Sequence, residues 1–201
     1  MALLDPYGLE LMPVQAWGIL WGVCSIGFIL GGMIISRTGL GVNPVRTLLL
    51  VNIAMWTVAA ILPIRESIAL LAIGCFIYMG LVTFAEASEQ TVLQKVVPFV
   101  QQGRVFGFAM AIELAAAPIS TLMIGPIAEF WLIPYMNSDA GRNQLGWLLG
   151  AGTTRGIALA FLLASLIGLI VTVLALMSRP YSVLSATYRD SGGSPPAGCA
   201  G

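Results

Sequence analysis

Five stretches of this chain are each long and apolar enough to cross the hydrocarbon core of a bilayer. They cover residues 14–36, 45–64, 67–93, 103–131 and 153–178. About 20 residues rising 1.5 Å each suffice for a core about 30 Å thick. In lipid, every backbone N–H and C=O must be satisfied within its own segment, so these stretches have to be helices. The alternating pattern of a membrane β-barrel is absent. Composition agrees: 58% of the residues are hydrophobic and 9% are charged, where a soluble domain carries about 25% charged residues. The expected fold class is an all-α integral membrane protein with five transmembrane helices, embedded in the lipid bilayer.

The same composition excludes several functions. The formal net charge is zero and no basic cluster exists, so nothing would neutralise the phosphates of a nucleic acid. The chain has no histidine, and its three cysteines (Cys24, Cys75 and Cys199) form no CxxC pair. Neither a zinc site nor a disulfide framework is supported, and no metal or other cofactor is expected. The HExxH, GxSxG and P-loop motifs are absent, so the chain does not read as an enzyme.

Basic residues set the expected orientation. Arg37, Arg46, Lys95, Arg104, Arg179 and Arg189 fall on one side of the membrane, and Arg65, Arg142 and Arg155 on the other. The richer side is cytoplasmic by the positive-inside rule. Residues 1–13 are then an external N-terminal segment, residues 14–178 the helical bundle, and residues 179–201 a disordered cytoplasmic tail ending in "SGGSPPAGCAG". The protein is expected to be multi-pass in the cell membrane. The N-terminal segment lacks the basic region and cleavage site of a signal peptide. An outside N-terminus without one points to a preceding helix. The link over residues 132–152 contains "QLGWLLG", which suits a short interfacial helix with Trp147 at the headgroups.

Acidic residues inside the spans are the candidate functional groups. Glu86 and Glu89 lie three apart on one helical face, and Gln90 and Gln94 extend a polar stripe from Glu86 in steps of four. Glu86 precedes Lys95 by nine residues and Glu113 follows Arg104 by nine. In antiparallel neighbours this places both carboxylates about 13 Å in from the connecting loop. Carboxylates at that depth face a cavity or a partner. One reading is a protonatable cluster, since a desolvated carboxylate can exchange a proton near neutral pH. The other is a latch, with Arg37, Arg46 or Arg104 pairing Glu86 and Glu89 at the inner rim. Glu129 lies near the outer end of its helix and reads as interfacial.

Small residues form a second pattern. Gly18 and Gly22, and then Gly27 and Gly31, stand four apart, with Gly32 adjacent. That spacing allows close helix approach. Pro118 and Pro126 lie inside one span, where each removes a hydrogen bond and favours a kink, for gating or for packing. Trp17, Trp21, Trp56, Phe76, Tyr78, Phe84, Phe106 and Phe108 suit the lining of an apolar binding path, and Trp17 and Trp56 equally suit an interfacial or lipid-facing belt.

The run "QTVLQKVVPFVQQGRVFG", Gln90–Gly107, resembles the loop between the tenth and eleventh helices of major facilitator superfamily transporters, in the macrolide-efflux and enterobactin-exporter branch. "GGMIISRTG" resembles a degenerate copy of the superfamily's signature loop, with Arg37 where an Asp–Arg pair is typical. The resemblance implies that the five spans correspond to helices eight to twelve, a partial C-terminal six-helix bundle. It implies efflux of small amphipathic molecules by alternating access, coupled to inward proton flow, with the substrate between two helical halves. Glu113 and Glu86 are then the proton or substrate contacts, and Arg37, Glu89, Arg104 and Gly103 the inner gate or latch, Gly103 permitting a tight entry into its helix. The missing transporter half is an implied partner. The alternative is a non-transporting scaffold or accessory subunit whose carboxylates only fix helix packing.

Overall fold

The computed structural model describes residues 4–41, 43–64, 67–138, 155–178 and 181. Every element among them is helical: α1 (Leu4–Leu11), α2 (Val14–Thr38), α3 (Pro44–Ile61), α4 (Ile68–Val96), α5 (Phe99–Ile127), α6 (Ile133–Asn137) and α7 (Arg155–Leu176). Five segments have the length and apolar character of membrane spans, matching the five stretches read from hydropathy. The expected interfacial helix around Trp147 lies outside the described residues, as does residue 182 onward of the expected tail.

Local chemistry sets the boundaries. Pro13 ends α1 and opens α2. Asn43 caps α3, its side-chain oxygen accepting from the Arg46 N–H at 3.2 Å, and Pro44 takes the first helical position, where a missing N–H costs nothing. Between α4 and α5 only Val97 and Pro98 are non-helical. The expected link was longer, over residues 94–102. It shrinks because Pro98 is the one strong breaker there, and Gln102 folds back to donate to the carbonyls of Gln94 (3.1 Å) and Val97 (3.2 Å), which closes α4's end.

α5 differs most from expectation. It continues as α-helix through Pro118 and Pro126, passes into a π-helical turn over residues 128–132, and joins α6. The irregularity falls directly after Pro126, where the ladder has already lost a donor. The combined span of Phe99–Met136 holds 38 residues. At 1.5 Å per residue that is about 57 Å, so its ends extend beyond the hydrocarbon.

The main packing runs α2 to α4, α4 to α3, and α3 to α7. α4 is therefore flanked by α2 and α3. Glycines set the α2/α4 seam. A Cβ on Gly27 would stand 2.6 Å from the Phe76 carbonyl oxygen, and one on Gly31 would stand 2.8 Å from that of Gly80. Gly18 and Gly22 have nothing within 4 Å, so only the C-terminal half of the glycine ladder is a contact. Thr83 Oγ1 donates across the seam to the Phe28 carbonyl at 3.2 Å. Replacing Thr83 with Val should cost about 0.6 kcal/mol, the average for such a bond within membranes, as read by reversible unfolding in bicelles.

α1 folds back onto the bundle. Leu4, Tyr7 and Met12 are buried, and the Tyr7 ring meets Phe161 edge-on at 6.2 Å. Trp17 lies beneath α1, also buried, and its indole N–H donates to Asp5 Oδ1 at 3.1 Å. Trp17 is thus a core residue rather than an interfacial one.

Candidate functional site

The intramembrane carboxylates sit on two helices joined by the Val97–Pro98 elbow. Glu86 and Glu89 lie on the last third of α4, and Glu113 near the middle of α5. Glu86 is within electrostatic reach of Glu89 on its own helix and of Glu113 on the next. Glu86 and Glu113 thus stand on consecutive helices joined by the elbow, close enough for their charges to interact.

All three carboxylates are exposed with respect to this chain. α5 packs sparsely along α4, and none of its most apolar stretch is buried. Its neighbours Met110, Ile112 and Leu114 are 62%, 56% and 72% exposed. The α4/α5 face is consequently a strip of apolar side chains interrupted by acids, uncovered by other helices among the described residues. A charge in that position needs water or a partner beside it.

The basic residues of the expected gate stand apart from them. Arg37 is in the last turn of α2, where its charge complements the helix dipole, and Arg104 is in the second turn of α5; both are exposed. Among the described residues no ion pair joins Glu86, Glu89 or Glu113 to Arg37, Arg46 or Arg104. Gly103 does not make the entry to its helix. α5 already begins at Phe99, and a Cβ at Gly103 would meet nothing within 4 Å. Pro98 makes the turn instead.

An enclosed space between the helices has no local signal in the sequence. A cavity of about 260 Å³ lies among α1, α3, α4, α5 and α7, with Trp56, Tyr78, Met79, Ser120 and Phe161 in its wall. Trp56 and Tyr78 had been legible only as aromatic residues in apolar runs. Their shared cavity follows from helix pairing, which no local pattern records. Cys24 on α2 and Cys75 on α4 are both buried free thiols on helices that pack together. Fully packed thiols in such surroundings are inert structural groups.

Comparison with family models, with curated proteins and with solved structures gives no match.

Proposed function

We propose that the chain is the C-terminal portion of a major-facilitator-type efflux transporter, working by alternating access and exchanging a small amphipathic molecule for protons. The observation that carries this reading is the exposure of Glu86, Glu89 and Glu113 on the consecutive helices α4 and α5, with no basic partner among the described residues. Carboxylates with no basic partner inside a bilayer border water or another polypeptide. A water-filled path between two helical halves would supply both, and the resemblance of Gln90–Gly107 to the loop between helices ten and eleven supports such a path beside these acids. In that scheme Glu113 carries the proton or contacts the substrate, with Glu86 as its neighbour. Arg37 and Arg104 line the cytoplasmic rim with Glu89.

The same uncovered face is what a scaffold subunit would offer to a partner, so the two readings part on transport. The test is release of a neutral amphipathic dye from proteoliposomes holding the chain alone, and holding it joined to a complementary seven-helix N-terminal portion. Flux from the joined protein, and none from the five-helix chain, is the expected result. A joined protein that assembles but moves no dye overturns the transport reading and leaves the scaffold.

A further inference from the structure

The cavity among α3, α4, α5 and α7 is separate from the carboxylate face, its nearest α4 residue, Met79, lying roughly 10 Å along the helix from Glu86. Three of its properties define what fits. Its volume is about 260 Å³, against about 150 Å³ for a protein cavity known to hold benzene. Its lining contains no charged residue, so a charged occupant would be desolvated without compensation. Two of its lining side chains, Tyr78 and Trp56, carry a hydrogen-bond donor that has no protein partner among the described residues. Such donors in an apolar wall favour an occupant with an acceptor oxygen.

The way in is also marked. A more open hollow of about 430 Å³ shares Trp56, Ile124, Ala160 and Ala164 with the cavity and runs out past Ile127 and Ile167. Ile127 is 50% exposed and Ile167 62% exposed, both in membrane spans. The hollow therefore opens toward hydrocarbon, between α5 and α7. On another side the cavity wall is Leu4 of α1, which is 3% exposed and held by the Tyr7–Phe161 contact and the Trp17–Asp5 hydrogen bond.

We propose that this cavity binds one neutral molecule of one or two rings bearing a carbonyl or ether oxygen, and that the molecule enters sideways from the bilayer between α5 and α7. The Tyr78 hydroxyl and the Trp56 indole N–H are the donors to its oxygen. Ala164, which lines both spaces, sits in the passage between them. α1 seals the opposite wall and takes no part in entry.

Benzophenone is a suitable probe, being a neutral two-ring ketone that partitions into lipid and, under near-ultraviolet light, inserts into nearby C–H bonds. The full chain in nanodiscs is labelled at increasing benzophenone and the adducts are mapped by mass spectrometry. Saturable adducts on Met79, Leu62 or Ile124 are expected, and excess acetophenone should compete them away. Tyr78→Phe should raise the half-saturating concentration about fivefold, the effect of one lost hydrogen bond. Ala164→Phe should abolish the saturable component, while Trp17→Phe, which loosens α1, should leave the labelling rate unchanged. The mapping in the unaltered protein stands even where a variant fails to fold. Non-saturable adducts spread over outward residues such as Ile19 and Leu122 would overturn the site. A several-fold faster rate in Trp17→Phe would overturn the lateral route. Labelling without dye flux removes the transport reading and keeps this site; flux without saturable labelling does the reverse.

Discussion

Gly27→Leu is expected to lower the unfolding free energy by roughly 3 kcal/mol or more, at the upper end of what overpacking costs. The Cβ alone would come within 2.6 Å of the Phe76 carbonyl oxygen. That atom is backbone on a continuous helix and has no rotamer to adopt. α2 must then move off α4. The movement also removes the Thr83 hydrogen bond to Phe28 and loosens the packing of Cys24 and Leu71, both 1% exposed. Gly22→Leu adds the same side chain to the same helix, where nothing lies within 4 Å, and should change stability by less than about 0.5 kcal/mol. Denaturant titration in bicelles compares the two. Equal effects would mean that the seam is not built on the Gly27–Gly31 pair.

Glu113→Gln is expected to uncouple transport from the pH gradient in the joined twelve-helix protein while leaving downhill flux. Each proton exchanged makes one pH unit of gradient worth about 1.4 kcal/mol, or tenfold in the substrate accumulation ratio. Under the proposed exchange, protons entering would drive export, so external acid should favour it in the unaltered protein. Glutamine keeps the size and hydrogen-bonding capacity of the side chain but carries no exchangeable charge, so the tenfold response per pH unit should flatten. Glu89→Gln, at the rim, should leave the response intact. The measurement is dye accumulation in inverted vesicles across a series of imposed gradients. An undiminished slope in Glu113→Gln removes that residue from coupling.

The five spans were legible because lipid allows a long apolar segment only one backbone conformation. The acids were legible as anomalies in such segments, and counting residues on either side of one turn set Glu86 and Glu113 at matching positions on consecutive helices. What escaped the sequence depends on contacts between distant segments. α1 is two turns of mixed residues whose helix is held by Leu4, Tyr7 and Met12 against the bundle, so its local signal is weak. Trp17 looks like an interfacial residue until Asp5 is seen to satisfy its indole. Only two of the four regularly spaced α2 glycines touch α4, because spacing defines a face and not its neighbour. Gly103 was expected to permit the tight entry into its helix, whereas the actual breaker, Pro98, stands five positions earlier.

Proton movement reports the proposed exchange of substrate for protons more directly than any flux of dye. The joined protein is sealed into liposomes with a pH-sensitive dye inside and no initial gradient, and a neutral amphipathic substrate is added outside. Inward movement of substrate should drive protons out, raising internal pH in proportion to substrate taken up, with no such change when Glu113→Gln is used. Substrate uptake that leaves internal pH unchanged in the unaltered protein would contradict the account.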